Sequence, residues 1–373
     1  MAFTATKREV GEIYTFFRLL ADGFVTTGTA QATASDVQWP IAMLQREEHD
    51  GTRRYVLDGE EIHVIKGKVD KKGIFTADDE ETHLLRADFE GAAQLLLGLL
   101  KSGSGEDIEI PDELEAFFDA INIYNLEART EDRTDIAIAF RHQDAPLSGF
   151  CIRCRLSPMN PLLDGGRTAN LKLEQSGVKF AVPTVNKVNA LPEGNNAVAE
   201  RMLMIERLGG VLKYSDVADK VFRCNLQMID LHFPRVLAEM VRLMHLEGIV
   251  RTNELTERIK QMNPLKIKDE LIQKHGFYEF KMKQFLLALA LGMRPAKIYN
   301  GQDSAIEGML LTLADGQVIC YHRSDKTTFS DFLYQNTRLE KGSTEKDKYG
   351  YLERENGSYY FKLNVKIGLL KRS

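Results

Sequence analysis

Apolar residues at three- and four-residue spacing open the chain. Ile13, Phe16, Phe17 and Leu20 share one helical face behind the capping box Thr6-Lys7-Arg8-Glu9, and Asp22-Gly23 stops the run. The pattern predicts an amphipathic helix in which Glu9 serves the cap. Trp39-Pro40 leads a short helix, residues 54–66 alternate like two strands around Asp58-Gly59, and residues 87–100 return to helical spacing. Lys101-Ser102-Gly103-Ser104-Gly105 reads as a loop, and an acidic helix follows near residues 112–121. Residues 135–140 and 149–156 then alternate like two strands, joined by a loop containing Asp144-Ala145-Pro146.

From residue 196 to about 291 the spacing is nearly all helical. Gly209-Gly210 ends one helix, and Val236, Leu237, Met240, Val241 and Met244 form an apolar stripe on another that stops at Gly248. A stripe of this kind is core packing, not a ligand box. After Pro295 strands return: residues 309–313 and 318–322 form a hairpin around Asp315-Gly316, and residues 349–354 and 359–369 bracket a turn at Asn356-Gly357. The chain is therefore α/β at both ends with a helical insertion between.

Composition narrows the class. Of 373 residues 43% are hydrophobic and 28% charged, the balance of an ordinary globular protein, which sets aside disordered, collagenous and disulfide-stapled chains. No apolar run is long enough to span a membrane, and the first residues turn charged too early for a signal peptide, so a cytoplasmic location is expected. The net charge of -5 gives no global pull toward a polyanion. From Gln335 onward, however, nine basic residues face five acidic ones, 9 - 5 = +4. That local excess is compatible with a polyanion-binding face and equally with a solvated charge run. Cys151 and Cys154 form a CxxC without a matching partner pair, and on a strand they project from opposite faces, so zinc or thiol redox chemistry is not expected there.

The candidate chemistry lies on the central strand pair. Asp135 shares its face with Ala137 and Ala139, small residues that leave room beside a carboxylate, and the second strand puts Cys151 and Arg153 on one face. A carboxylate near a cation is the arrangement of a divalent-metal phosphodiesterase site. It is also that of an ordinary ion pair, and spacing alone does not separate the two.

Longer strings do. Glu9-Val10-Gly11-Glu12-Ile13-Tyr14, Gly149-Phe150-Cys151-Ile152-Arg153, Thr168-Ala169-Asn170, Phe277-Tyr278-Glu279-Phe280-Lys281-Met282-Lys283, Cys320-Tyr321-His322 and Tyr359-Tyr360-Phe361-Lys362-Leu363-Asn364, in this order and spacing, resemble the HpaII family of type II restriction endonucleases. The resemblance runs along most of the chain. It implies a PD-(D/E)XK nuclease-like mixed central sheet flanked by helices, with a helical insertion and a C-terminal β-rich segment. The implied division is a nuclease core over residues 1–190, a helical region over 191–300, and a β-hairpin region over 301–373 that completes the DNA-binding face.

The implied site follows residue by residue. Asp135 is the first metal-binding carboxylate, and the carbonyl of Ile152 is a further metal ligand. Arg153 stands where the family has the lysine of a Ser-Ile-Lys triplet, and Cys151 replaces the serine. The second carboxylate is Glu174 or Glu12, and Lys172, on the face of Glu174, is a candidate for the missing amine. Arginine stays protonated throughout the usable pH range, so Arg153 can steady phosphate charge but cannot shuttle a proton.

The implied cofactor is Mg²⁺ and the implied substrate is double-stranded DNA, cut to 5′-phosphate ends at a short palindrome of the CCGG kind. A homodimer and a cognate DNA methyltransferase are the expected partners, and no membrane is involved. The Gly-rich stretch around Arg167, Thr168 and Asn170 suits base reading, because Arg and Asn are the usual bidentate readers of guanine and adenine. Arg155, Lys172, Lys281, Arg338, Lys341, Ser343, Thr344 and Lys346 suit phosphate contacts. The rival reading is a DNA-binding protein or nuclease subunit whose site no longer cleaves.

Overall fold

The computed structural model describes residues 3–103, 105–123, 126, 134–141, 147–301 and 304–371. The chain forms two compact units. Unit 1 comprises Met1–Asn160, Ser304–Phe329 and Lys371–Ser373, and unit 2 comprises Pro161–Asp303 and Ser330–Leu370. Divisions at residues 190 and 300 follow chain order, whereas both units take up segments that are distant in sequence.

Unit 1 is organised on a nine-stranded mixed sheet. Its order is Phe24–Gly28, Val318–His322, Ile306–Thr312, Ser148–Cys154, Ile136–Phe140, Ala34–Glu48, Gly51–Asp58, Glu61–Val69 and Phe75–Leu85. The central pair is antiparallel with Ile136 opposite Phe150, while Ser148–Cys154 runs parallel to Ile306–Thr312. The Asp144-Ala145-Pro146 loop lies outside the described residues.

Helix Lys7–Asp22 crosses this sheet and carries the expected capping box, and Gly23 ends it in the left-handed region at φ 70°. Its face buries Val10, Ile13, Phe16, Phe17 and Leu20, each at 1% exposure or less. Each such apolar side chain contributes roughly 1.5–3 kcal/mol by leaving water. Gly11 permits close approach, since a Cβ there would lie 3.0 Å from the Cys154 Cβ. Helices Arg86–Ser102 and Asp112–Ala120 cover the outer side of this helix, with Phe17 against Phe89 and Phe117 at ring separations of 5.4 and 5.5 Å.

The short helix expected behind Trp39-Pro40 is instead the strand Ala34–Glu48. Its first half pairs with Phe24–Gly28, and its second half lies between Ile136–Phe140 and Gly51–Asp58. Pro40 sits near the change of partner, where its carbonyl accepts from the Arg141 N–H and its missing N–H costs no ladder bond.

Unit 2 holds a four-stranded antiparallel sheet in the order Gly210–Val217, Asn170–Gly177, Ser358–Asn364, Leu352–Glu355. A three-stranded sheet joins Leu163–Asp164, Lys366–Leu369 and Thr337–Glu340. Helices Ala197–Arg207, Phe233–Glu247, Thr252–Met262 and Phe277–Ala290 supply the expected helical mass. The strand Gly210–Val217 interrupts it: Leu212 and Val217 are buried, and the partner strand comes from before the helical run, so helical spacing on both sides concealed it. Helix Lys326–Asn336 is a second departure, within the segment read as strands. Among the described residues no helix is long and apolar enough to cross a membrane.

Candidate active site

Asp135 lies one residue before the Ile136–Phe140 strand, where the ladder to Ser148–Cys154 begins. Its backbone N–H donates to the Phe150 carbonyl at 2.8 Å, and its carboxylate Oδ2 accepts the Ile152 N–H at 2.5 Å. The side chain thus holds the place a strand carbonyl would hold, at the sheet's end, and is exposed to charges from several elements.

Burial raises the Asp135 carboxyl above its ordinary value of 3.8, and the Ile152 N–H, then Arg153, Arg8 and Arg46, pull it back. These groups converge from two neighbouring strands and the first helix. Arg153 Nη1 donates to the Ile152 carbonyl at 2.7 Å, and its buried Nε has no hydrogen-bond partner among the described residues. Arg153 therefore acts on Asp135 through its charge, while its own hydrogen bond goes to the Ile152 carbonyl.

Arg46 brings a second buried carboxylate. It forms an ion pair with Glu48, with side-chain exposures of 3% and 4%, and Arg46 Nη2 donates to the Leu126 carbonyl at 2.6 Å. Burial pushes the Glu48 carboxyl up, against the pull of Arg46 and Arg53. The Arg46 guanidinium lies 6.0 Å from the centre of the Phe16 ring, which places it on the sheet face that meets the first helix.

Glu12 is half-buried on that helix. It stands between Arg8, which acts on Asp135, and Phe16, which meets Arg46. Residues four apart lie on one helical row, so Glu12 faces the same end of the sheet. Its charge also raises the Cys154 thiol, behind burial as the main cause. Glu12 thus shares a unit with Asp135, Ile152 and Arg153, whereas Glu174 and Lys172 belong to unit 2.

Sequence reading missed Arg8, Arg46 and Glu48. A signal exists in Arg46 and Glu48, charged residues that continue the buried alternation of Leu44, but it is readable only once the segment is known to be a strand. The donors at this end are carboxylate and carbonyl oxygens, the ligand type of hard divalent cations. A carboxylate penalised by burial is one that such a cation would keep ionised, so these residues fit a divalent metal. None of the four cysteines is in a disulfide, and Cys151, Cys154 and Cys320 are buried.

In unit 2, Glu174 lies on Asn170–Gly177 opposite Lys213 and Tyr360. Lys172 forms an ion pair with Glu355, and its ammonium stands 4.4 Å from the centre of the Tyr360 ring. Two candidate DNA-contacting stretches meet in this unit. Arg167 is exposed on the 3₁₀ turn Gly166–Ala169 and donates through Nε to the Lys346 carbonyl at 3.2 Å. Thr168 closes that turn onto the Gly165 carbonyl at 2.7 Å.

Asn170 is buried at 2% exposure. Its amide donates to the Asp347 carbonyl at 2.7 Å and accepts from Asn364 at 2.8 Å, so its side chain ties the two stretches together. Ser343 caps the turn Thr344–Asp347 by accepting the Lys346 N–H, and Thr344 donates to Glu193 at 3.2 Å. Lys341 donates to the Asn195 carbonyl at 2.5 Å. Arg338 is held by Glu340 at 2.9 Å, and Lys281 donates to the Ile229 carbonyl at 3.1 Å. Arg155 belongs to unit 1, where its N–H donates to the Thr312 carbonyl at 3.0 Å.

Comparison with known proteins covers nearly the whole chain. Residues 6–369 match the family model described as HpaII restriction endonuclease. The type II restriction enzyme HpaII of Haemophilus parainfluenzae is 29% identical over 371 residues, 99% of each chain. No solved structure gives a significant match.

Proposed function

This chain belongs to the HpaII restriction endonuclease family, and from that premise we propose a Mg²⁺-dependent type II enzyme, of the PD-(D/E)XK fold, that cuts double-stranded DNA at a short CCGG-like palindrome. Family membership makes it a restriction endonuclease, an enzyme class that acts on DNA and generally uses a divalent metal. The observation that carries the finer reading is the Asp135 carboxylate locked onto the Ile152 N–H beside Arg153, Arg8 and Arg46.

Asp135, Glu12 and the Ile152 carbonyl would hold the metal. Bound there, Mg²⁺ supplies Lewis acidity to water and neutralises charge on the phosphate. Asp135 is oriented by the Ile152 N–H, so its carboxylate is held in place before DNA arrives. Arg153 remains protonated and steadies the oxygens of the phosphate as charge builds on them. Water attacks phosphorus in line and the bond to the 3′ oxygen breaks, leaving a 5′-phosphate and a 3′-hydroxyl. Arg8 and Arg46 offset part of the burial that raises the Asp135 carboxyl.

For recognition, Arg167 is the strongest candidate base reader because it is exposed, with Thr168 and Asn170 shaping its turn. Lys346, Lys341, Ser343 and Thr344 flank it as phosphate contacts, and Arg155, Lys172, Lys281 and Arg338 add positive charge elsewhere. Glu12 is preferred to Glu174 as the second carboxylate because it shares a unit with Asp135. A palindromic target calls for a homodimer, and a cytoplasmic host needs a cognate methyltransferase to protect its own DNA.

Digestion of a mapped plasmid with Mg²⁺, followed by sequencing of the ends, tests the reading. Discrete cuts with 5′-phosphates, lost in Asp135→Asn, support it. DNA binding without cutting under any divalent metal overturns it in favour of a non-cleaving DNA-binding protein.

A further inference from the structure

The outer hairpin of unit 1, Glu61–Val69 with Phe75–Leu85, carries two histidines and two glutamates on one face. His63 and His83 are directly opposed across the antiparallel ladder. Glu61 lies two positions from His63 and Glu81 two from His83, so strand alternation turns all four side chains to the same side. The imidazole centres are 4.2 Å apart. We propose that Glu61, His63 and His83 form a zinc site, with Glu81 as the carboxylate that orients His63.

The distances assign the roles. His63 Nδ1 lies 2.8 Å from Glu81 Oε1, a hydrogen bond that holds the ring and directs Nε2 toward Glu61, 3.8 Å away. His83 Nδ1 is 3.8 Å from the same Glu61 oxygen. One ligand atom from each of Glu61, His63 and His83 lies within 4.8 Å of the other two. Zinc bonds of about 2.0–2.1 Å at tetrahedral angles put neighbouring ligand atoms about 3.3 Å apart. Rotation of the exposed Glu61 and His83 side chains about the half-buried His63 would bring them to that spacing. A carboxylate on the far nitrogen of a ligating histidine is the usual support for such a ligand.

The donor set chooses the metal. Two imidazoles and one carboxylate favour zinc over magnesium, which prefers an all-oxygen octahedron. The site is therefore chemically distinct from the oxygen donors around Asp135 and independent of the proposed nuclease chemistry. Three protein ligands leave a fourth position for water. The ion would tie the edge strand to its neighbour near the register shift between Ile65 and Gly67, so zinc binding stabilises the folded state by mass action.

The test uses the full chain stripped with a chelator and dialysed, then titrated with zinc chloride alone by calorimetry, in a Cys224→Ser background because Cys224 is an exposed thiol. One equivalent is expected to bind and to raise Tm. His63→Asn/His83→Asn is expected to lose that equivalent and the Tm rise while its metal-free melt is unchanged. Glu81→Gln is expected to weaken zinc by about 10–100-fold. Magnesium chloride is expected to give no competing heat at this site. Equal zinc binding by the double variant, or none by the parent, overturns the proposal. Should the double variant fail to fold, Glu61→Gln and Glu81→Gln decide by the same readouts.

Discussion

Asp135 and Ile152 are joined by a hydrogen bond in which a side-chain carboxylate replaces a strand carbonyl, Oδ2 accepting the Ile152 N–H at 2.5 Å. The bond separates the structural duty of Asp135 from its charge. Asp135→Asn keeps an acceptor oxygen for Ile152 and loses the negative charge. Its melting temperature is expected to stay near that of the parent, while plasmid cleavage falls by more than about 100-fold, since even supporting residues of a metal site are worth about 10–100-fold. A quantitative nicking assay beside a thermal melt checks both halves, and retained cleavage would remove Asp135 from the site.

Arg153 offers a chemical distinction. If its role is to steady charge, Arg153→Ala is expected to lower the cleavage rate by about 10²–10³ with little change in DNA affinity, in line with the loss of one transition-state donor. Arg153→Lys supplies a shorter cation and is expected to recover most of that loss. Single-turnover rates at saturating enzyme separate the two variants. An alanine variant as fast as the parent would show that the guanidinium is only a structural partner of the Ile152 carbonyl.

The ion pair of Arg46 with Glu48 is buried on both sides. Glu48→Ala leaves the buried Arg46 guanidinium without its carboxylate, so it is expected to cost about 3–5 kcal/mol, whereas replacing both residues by apolar ones of similar volume is expected to restore much of it. Denaturant unfolding of the single and double variants measures the difference. A Glu48→Ala loss below about 1 kcal/mol would contradict the burial argument.

His245 gives unit 2 a pH response. Burial lowers its pKa from 6.5 to about 4, and both ring nitrogens are buried without hydrogen-bond partners among the described residues. A histidine with a depressed folded pKa contributes stability that is present above 6.5 and is lost as pH falls toward 4, because the unfolded chain takes up the proton first. The contribution approaches about 3 kcal/mol at 1.36 kcal/mol per unit. His245→Phe is expected to flatten this part of the stability profile between those pH values, and an unchanged slope in denaturant titrations would refute it.

Arg167 and Lys346 separate reading from attraction. Arg167→Ala is expected to cost about 1–3 kcal/mol on the preferred sequence and to relax discrimination at one base position. Lys346→Ala is expected to weaken all sequences alike and to reduce the salt slope by about one. Binding measured on cognate and scrambled duplexes at several salt concentrations shows which pattern holds.

Local chemistry made several of these features legible in advance. The first helix announced itself through its cap and apolar row, and the central strands through their alternation, which fixed Asp135 and Arg153 as a pair to watch. The strand Ala34–Glu48 did not announce itself, because Trp39-Pro40 resembles a helix entrance when its partners are unknown. With that strand misread, the buried charges of Arg46 and Glu48 had no face to be assigned to. Nor does spacing choose between Glu12 and Glu174, since each sits plausibly on a regular element.

Residue order alone thus determined which short segments turn or extend, which of their faces are apolar, and, through the ordered strings spread along the chain, the nuclease family. Tertiary structure decided that Glu12 shares a unit with Asp135, that Asn170 is a structural tie, and that the stretches around Arg167 and Lys346 meet. The reason is physical: helical and strand periods are set by neighbours a few residues apart, whereas strand pairing and the gathering of charges depend on contacts between segments distant in the chain, which no local pattern encodes.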